Sequence, residues 1–337
     1  MKLIIQIPCF NEELTLPATI RDLPRTVPGV DTVEYLVVDD GSTDRPADVA
    51  RECGVHHILR LGSNRGLARA FAHGLERALE LGADVVVNTD ADNQYCGADI
   101  PLLVRPILDN KADLVVGCRP ILAHPEFGVV KKGLQLLGSS TLRRLSKTSV
   151  PDAASGFRAF SREACLRLFV YSSFSYCMET LIQAGNEGLR VASADVRVNP
   201  QTRPSRLFKS IPEYIRKQAG TMLTMFVLYR PGHFFSALGS GLLAIATALG
   251  LRFLYLAYLT PEPGRTHLPS LILLSVMALA AFLCFLLGIV GELIKYQRRV
   301  AEENLYLQRK SRLAGSTAEI QFSLPTNHTK GHERKTA

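Results

Sequence analysis

The distribution of apolar residues divides the chain into two parts. Over roughly the first 230 residues, short apolar runs alternate with charged residues and turns, as in soluble α/β domains. From about His233 to Val290 the chain is nearly free of charge. The sequence therefore predicts a soluble α/β domain followed by a membrane-embedded part.

Strand-like and helix-like segments alternate four times near the N-terminus. The apolar runs "KLIIQIP", "VEYLVVDD", "HHILRLG" and "DVVVNTDAD" predict strands. The segments between them have helical periodicity, and the first helix is expected to begin near Glu12, after an Asn cap. Such alternation is typical of a parallel sheet with helices on its faces. Downstream, "ADLVVGCRP", "SGFRAFS" and "RVASADVRV" add strands.

Two uncharged runs are long enough to cross a membrane. They extend from His233 to Leu251 and from Leu268 to Gly291, and each is close to the ~20 residues that ~30 Å of hydrocarbon requires. A short Pro-rich turn joins them, so a two-helix hairpin is predicted, with Arg252 reaching the far interface. The alternative is a pair of buried core helices in a soluble protein. The small residues "GSG" at 239–241 suggest association into a homo-oligomer.

Basic residues indicate how the hairpin is oriented. They flank its two outer ends, while the connecting loop offers Arg265 alone, so the soluble part and both termini are expected on the cytoplasmic side of the cell membrane. We expect four segments: a soluble domain over 1–203, interfacial amphipathic helices over 204–231, the hairpin over 232–292 and a basic tail over 293–337. The tail is expected to be disordered from Leu313. A solvated linker remains the alternative for 204–231.

The formal charge of +8 fits a protein that lies against anionic lipid or handles anionic substrates. A nucleic-acid partner would require a basic stripe with interleaved aromatic residues in the soluble half, and the sequence has none. Seven cysteines without a C-x-x-C pair are typical of a reduced compartment, with neither a disulfide framework nor a zinc site.

Polar clusters follow three of the predicted strands: "PCFNE", "DDGSTD" and "DADNQ". Ligands bind beyond the carboxyl ends of the strands in open α/β sheets, so one crevice is expected to collect all three. In the last cluster, the carboxylates of Asp90 and Asp92 and the amide oxygen of Gln94 suit a hard cation, Mg²⁺ or Mn²⁺, bridging to a diphosphate. A D-x-D pair alone is a weak signal, and a capping role is its default alternative.

Four stretches resemble the signatures of family 2 glycosyltransferases, which have the GT-A fold: "IPCFNEE" at 7–13, "VVDDGSTD" at 37–44, "NTDADNQY" at 88–95 and "SGFRAFSRE" at 155–163. The hairpin and the "DADxQ" form are similar to the dolichyl- and polyprenyl-phosphate sugar synthases. The resemblance covers about residues 3 to 230 in order and extends into the hairpin.

The resemblance implies roles for particular residues. A metal ion would be held by Asp90, Asp92 and Gln94, and Asp90 would also meet the nucleotide. The phosphate would be met by Arg119, with Lys131 or Lys132 assisting, and Asp152 would lie near the reacting centre. The nucleotide would be held by Pro8, Phe10, Glu12 and Asp40, with Val38 lining the base. Asn64, Arg65 and Arg69 are further candidates for contact with the diphosphate, and a helix start explains them equally well. Other readings also remain open: Asp40 capping a turn through "DGSTD", and Arg119 and Arg158 as surface charges.

The family activity implied is inverting transfer of one sugar from a nucleotide-diphosphate donor to a polyisoprenyl phosphate, with Asp92, Arg119 and Asp152 as catalytic residues. Processive polysaccharide synthases carry Q-x-x-R-W, and this chain has no tryptophan. The alternatives are a non-catalytic membrane scaffold that binds nucleotide sugars and a family 2 transferase with a different lipid or glycan acceptor.

Overall fold

The apolar runs form strands in a computed structural model that describes residues 1–120, 146, 148–170, 176–200, 216, 220, 223–259 and 268–323, with side chains as far as residue 315. The described residues fall into two compact units. The first comprises Met1–Pro120, Thr148–Thr202 and Glu303–Ala337, and the second comprises Ile121–Lys147 and Arg203–Glu302. Each unit is described separately below.

The first unit contains one seven-stranded sheet in the order β3-β2-β1-β4-β6-β5-β7. The strands are β1 (Lys2–Cys9), β2 (Thr32–Asp39), β3 (His57–Arg60), β4 (Val85–Asn88), β5 (Leu114–Cys118), β6 (Arg158–Ser161) and β7 (Val191–Asp195). The first four are parallel, as the alternation predicts, and β5 pairs with β7 in parallel. One strand, β6, runs antiparallel between β4 and β5, so the complete sheet is mixed.

Helices cover both faces of the sheet, which explains why the residues of its central strands β1 and β4 are buried at almost every position. They are α1 (Leu16–Asp22), α2 (Pro46–Glu52), α3 (Leu67–Glu80), α4 (Ile100–Leu108), α5 (Arg162–Arg167) and α6 (Tyr176–Asn186). Leu3, Ile5 and Ile7 of β1 form one core cluster with residues of α1 and α4. On the opposite face, α3 approaches closely at Gly74, where an added Cβ would lie 2.5 Å from Gln6 Oε1 and 3.0 Å from Val38 Cγ2.

The first helix begins at Leu16, later than the predicted start near Glu12. The Glu12 carboxylate accepts a hydrogen bond from the Thr15 hydroxyl, with Oε2 at 2.7 Å from Oγ1. The Glu12 carbonyl accepts from the backbone N–H groups of Thr15 and Leu16, at 3.2 and 3.0 Å. Residues 12–15 therefore form a turn before the helix, and helical periodicity alone did not separate the two.

The second unit contains a pair of apolar helices. These are α7 (Pro231–Leu254), which continues as a π-helical turn over Tyr255–Leu259, and α8 (Leu268–Ser323). The segments Pro231–Leu259 and Leu268–Gly315 are long and apolar enough to cross a membrane, and few of their residues are buried. Small residues allow close packing between the two helices, since Gly239 lies against Ala281 and Phe285. Gly239, expected to help build an oligomer, thus packs within its own chain.

The tail is helical further than the sequence suggested. The prediction that the chain is disordered from Leu313 is wrong for residues 313–323, because α8 continues to Ser323. From Glu303 the helix belongs to the first unit, where Tyr306 and Leu313 are buried. Arg309 Nη1 donates to the carbonyl of Leu168 at 3.1 Å, and its guanidinium lies 4.2 Å from the Phe169 ring centroid. These contacts within the first unit stabilise a segment whose polar composition resembles a solvated tail. Most of 204–231, predicted as interfacial helices, lies outside the described residues.

Candidate active site

The loops that follow β1 and β2 are joined at the carboxyl edge of the sheet. Asn11, in the left-handed region at φ 56°, accepts at Oδ1 from the Thr43 backbone N–H at 2.8 Å. The backbone N–H of Glu13 donates to Asp44 Oδ2 at 2.9 Å, and the Glu13 carboxylate accepts from the Arg45 N–H at 2.8 Å. Hydrogen bonds therefore join the "CFNEE" and "DDGSTD" stretches at one edge of the sheet, as we predicted from the shared carboxyl edge of their strands.

Of the residues expected to hold a nucleotide on β1 and its loop, Phe10 offers the most accessible surface. Its side chain is 39% exposed, so a ring face is available for stacking. Pro8 is buried within β1, and Glu12 is 8% exposed and bonded to Thr15. Val38 is wholly buried against α3 at Gly74. Its side chain therefore cannot line a base, and this expectation is corrected: the alternation of β2 directs Val38 into the core.

Asp40 anchors the loop that leads into α3. Its Oδ1 accepts from the Arg65 N–H at 2.9 Å and its Oδ2 from the Gly66 N–H at 2.8 Å, and the residue is only 2% exposed. Asp40 therefore does not cap the turn through "DGSTD", where the Ser42 N–H donates to Asp39 Oδ1 at 2.9 Å instead. A carboxylate has about four acceptor positions, so two remain for a ligand donor. Asn64 Oδ1 also bonds the Gly66 N–H at 3.2 Å, as expected at a helix start, while Arg65 and Arg69 are exposed.

Asp90 and Asp92 lie directly after the buried strand β4, where both are half-buried. The chain turns through Asn93, at φ 56°, and the Gln94 N–H donates to Asp92 Oδ1 at 3.2 Å. In the described part of the chain no three His, Cys, Asp or Glu side chains form a metal cluster. Two carboxylates and one amide oxygen fit Mg²⁺ or Mn²⁺ that takes its remaining oxygens from a diphosphate and water, since Mg²⁺ is commonly bound in this way.

Arg119 and Asp152 form a two-point ion pair. Arg119 Nε lies 2.7 Å from Asp152 Oδ2 and its Nη2 lies 3.1 Å from Oδ1, while Asp152 is fully buried. Burial opposes the charge of the guanidinium, but the nearby Tyr95 and Asp152 raise the pKa of Arg119 above its ordinary value. The surface-charge reading of Arg119 is therefore wrong. The Lys131 and Lys132 predicted to assist it lie outside the described residues.

Tyr95, which the sequence did not single out, is buried beside these acids. Its ring stacks on Phe157, with centroids 4.9 Å apart and an interplanar angle of 20°. Its hydroxyl oxygen accepts from the Gly156 N–H at 3.0 Å. Burial raises the pKa of Tyr95 to about 12, so the phenol stays protonated at neutral pH and its O–H remains a donor.

A buried polar chain supports the loop around Gly156. Gln6 Nε2 donates to Asn88 Oδ1 at 2.9 Å, and Asn88 Nδ2 donates to the Gly156 carbonyl at 2.9 Å and to Tyr176 Oη at 2.8 Å. The Tyr176 ring stacks on Phe71 with centroids 3.9 Å apart. An amide at the end of an otherwise apolar strand was the available sequence signal for Asn88.

Arg158 is wholly buried, so the surface-charge reading is wrong for it too. Its guanidinium donates to the carbonyls of Ser155, Cys177 and Ala153 at 2.8, 2.7 and 2.8 Å, and to Thr180 Oγ1 at 2.9 Å. It therefore braces the segment between Asp152 and Gly156 from inside.

Replacing Gly156 by alanine is expected to disturb Asp90. An added Cβ would lie 2.7 Å from Tyr176 Oη and 3.3 Å from each carboxylate oxygen of Asp90. Because stacking and the Asn88 bond hold Tyr176, the strain is expected to cost about 1–3 kcal/mol of unfolding free energy. Thermal unfolding and binding of UDP with Mn²⁺ would measure both effects. Gly62→Ala is the control, since nothing lies within 4 Å of its added Cβ, and equal behaviour of the two variants would contradict the expectation.

A family model described as "Glycosyl transferase family 2" matches residues 4–169. A protein of Mycobacterium tuberculosis, described as an uncharacterized glycosyltransferase, is 34% identical over 199 residues, which are 59% of this chain and 85% of the relative. The UDP-N-acetylglucosamine–dolichyl-phosphate N-acetylglucosaminyltransferase of Methanococcus voltae is 29% identical over 57% of this chain and 83% of the relative. The undecaprenyl-phosphate mannosyltransferase of Micrococcus luteus is 31% identical over 48% of this chain and 66% of the relative.

Among solved structures, the fold is similar to glucosyl-3-phosphoglycerate synthase of Mycobacterium tuberculosis in complex with Mn²⁺, UDP and glucosyl-3-phosphoglycerate. The TM-score is 0.51 at 21% identity, over 67% of this chain and 78% of that chain. At this identity the likeness concerns the fold.

Proposed function

The chain belongs to family 2 of the glycosyltransferases and has the GT-A fold, and from this premise we propose that it transfers one sugar from a UDP- or GDP-sugar to a polyisoprenyl phosphate, inverting the anomeric carbon. The observation that carries the proposal is the acidic pair Asp90 and Asp92 at the end of β4, in one compact unit with the Arg119–Asp152 ion pair. The chain continues from this unit into two long apolar helices.

The donor assignment is supported by the chemistry of the crevice. Phe10 offers an accessible ring for a nucleobase, and two acceptor positions of Asp40 remain for a base N–H. The synthase with the similar fold is described with UDP and Mn²⁺, and the Methanococcus voltae relative is named for UDP-N-acetylglucosamine. Asp90, Asp92 and Gln94 would hold Mg²⁺ or Mn²⁺. When bound, the ion would neutralise charge on the departing nucleoside diphosphate.

The acceptor assignment is supported by two independent features. Two relatives are named for dolichyl phosphate and undecaprenyl phosphate. The two candidate spans have exposed apolar side chains that suit a bilayer, in which a polyisoprenyl chain dissolves. Basic residues at the outer ends of the hairpin favour the cytoplasmic leaflet for the catalytic unit.

The nucleophile requires no strong base from the protein. A phosphate monoester has its second pKa near ~6, so it is largely ionised at neutral pH. Arg119 uses Nε and Nη2 to bond Asp152, and Nη1 donates to no residue in the described ranges. We infer that Asp152 orients Arg119, whose free donors then position the acceptor phosphate for in-line attack.

A radiolabel assay tests the function. Detergent-solubilised protein is incubated with several UDP- and GDP-sugars, with and without undecaprenyl phosphate, in Mg²⁺, Mn²⁺ or EDTA. Transfer of label to the lipid with one donor, dependent on both metal and lipid phosphate, is expected. Tight donor binding with no lipid-dependent release of nucleoside diphosphate would instead support a non-catalytic scaffold. Label on another lipid or on a glycan would point to a different acceptor.

A further inference from the structure

The segment after the acidic pair is fastened to a distant part of the chain. Residues 93–97 run alongside residues 197–199, which follow β7. Tyr95 and Val198 form an isolated antiparallel bridge, and the Cys96 N–H donates to the Arg197 carbonyl at 3.4 Å. The acidic loop is therefore held by a segment about a hundred residues further along the chain.

One residue makes most of these bonds. The backbone N–H of Asn199 donates to the Gln94 carbonyl at 2.8 Å. Its side-chain Nδ2 lies 3.1 Å from the Asn93 carbonyl and 3.3 Å from the Tyr95 carbonyl. Three successive carbonyls of the acidic loop thus accept from Asn199, and the first belongs to the residue in the left-handed conformation.

A second side chain holds the far end of the loop. Asp22, at the end of α1, accepts at Oδ2 from the Gly97 N–H at 2.7 Å and from Asn199 Nδ2 at 3.3 Å. Gly97 is required there, since an added Cβ would lie 2.3 Å from the Asp22 carbonyl oxygen. Asn199 and Asp22 together form a clamp on residues 93–97.

The clamp is connected to the predicted metal ligands through the Gln94 peptide. The Gln94 N–H donates to Asp92 Oδ1 at 3.2 Å, and the carbonyl of the same residue accepts from Asn199. Fixing the backbone of residues 93–95 therefore fixes the direction of the Asp92 carboxylate and of the Gln94 side chain. Partners that orient metal ligands in this way affect affinity although they do not touch the ion.

We propose that Asn199 is a positioning residue that sets the affinity of this enzyme for the metal–nucleotide complex. The inference rests on the proposed function, because it takes Asp92 and Gln94 as metal ligands. It concerns a residue beyond position 169, where the family-model match ends. Its role follows from hydrogen bonds between segments far apart in the chain.

The test uses the full chain in detergent and two substitutions of Asn199. Asn199→Ala removes the Nδ2 donors, and Asn199→Asp keeps the shape but places a negative charge beside two carbonyls and the Asp22 carboxylate. Binding of UDP is measured by calorimetry in Mg²⁺ and in Ca²⁺, and thermal unfolding is measured without ligand. Asn186→Ala is the matched control, because its Nδ2 also bonds one backbone carbonyl, that of Ile182 at 2.9 Å, at the end of α6.

We expect Asn199→Ala to weaken binding of UDP with Mg²⁺ by about tenfold and Asn199→Asp to weaken it further, with the control unchanged. The loss is expected to be smaller in Ca²⁺, since Mg²⁺ demands near-octahedral geometry and Ca²⁺ tolerates flexible sites. A merely structural role would lower the unfolding temperature and the fraction of protein that binds, with equal losses for the two ions. That result, or affinity within twofold of the unmodified protein, would overturn the proposal.

Asp92→Ala separates failure of the clamp from failure of the proposed function. If Asp92→Ala removes metal-dependent UDP binding and the Asn199 variants do not weaken it, the clamp is wrong and the metal site stands. If Asp92→Ala leaves UDP binding unchanged, the metal assignment fails, and the inference about Asn199 fails with it.

Discussion

Replacing Asp92 by asparagine is expected to lower the rate of sugar transfer by about 10³-fold. The amide keeps the size of the side chain but removes one of the two negative charges in the acidic loop. Loss of about 4 kcal/mol of charge stabilisation would produce this change, because each 1.36 kcal/mol corresponds to a factor of ten, and a bound ion supplies several kcal/mol. The measurement is lipid-dependent transfer at saturating donor, together with binding of UDP in the presence of Mn²⁺.

The control for this variant is Asp195→Asn. Asp195 is an exposed carboxylate at the end of β7, on the same sheet but outside the acidic loop. Equal losses in the two variants would indicate a general effect of negative charge, and a metal site at Asp92 would then be ruled out. Far-ultraviolet circular dichroism of both variants should match the unmodified chain, because Asp92 is only half-buried and lies in a turn.

The sequence predicted those parts of the fold that depend on local patterns. The strands β1 to β4 are short segments rich in apolar residues, and polar residues follow each of them, so their carboxyl edge and its loops could be identified directly. The antiparallel placement of β6 could not be predicted in this way. A four-residue strand with neighbours on both sides has the same composition in either direction, and its pairing with β4 joins residues 70 to 76 positions apart.

The residues that we propose as metal ligands could be identified from the sequence, whereas the residues that support them could not. Asp90, Asp92 and Gln94 stand out because carboxylates follow three valines. The side chains of Asn199, Asn88 and Tyr95 form hydrogen bonds with backbone atoms of remote segments, and no spacing in the sequence encodes such contacts. The role of Val38 was taken from the family resemblance. The alternation of a strand directs neighbouring side chains to opposite faces, and the Val38 side chain lies against α3 at Gly74.

Arg158→Met is expected to destabilise the catalytic unit by about 3–5 kcal/mol. The buried guanidinium is expensive to desolvate, so removing the charge is favourable in itself. The carbonyls of Ala153, Ser155 and Cys177 would, however, lose the hydrogen bonds that Arg158 donates, at a cost of about 1–3 kcal/mol for each acceptor left unsatisfied. Because these acceptors are backbone groups that remain after the substitution, we expect the lost hydrogen bonds to outweigh the gain from removing a buried charge.

Urea unfolding of the full chain, followed by circular dichroism, measures this effect. The rate at which a thiol reagent labels the buried Cys177 measures local opening of the structure. The Cys177 carbonyl is one of the acceptors of Arg158, and the reagent reaches the thiol only when this segment opens. Arg77→Met, on the exposed face of α3 with one ion pair to Glu80, is the control and is expected to change stability by less than about 0.5 kcal/mol.

Arg158→Lys distinguishes charge from geometry at the same position. Lysine keeps the cation but concentrates its donors on one nitrogen, whereas Arg158 reaches its acceptors from Nε, Nη1 and Nη2. Partial recovery of stability relative to Arg158→Met is therefore expected, with Cys177 still labelled faster than in the unmodified protein. Full recovery by lysine would mean that a buried positive charge, and not the fork of the guanidinium, holds the segment between Asp152 and Gly156. In that case the segment would be held by electrostatic attraction, and the free energy of unfolding would depend on the charge of the side chain at position 158.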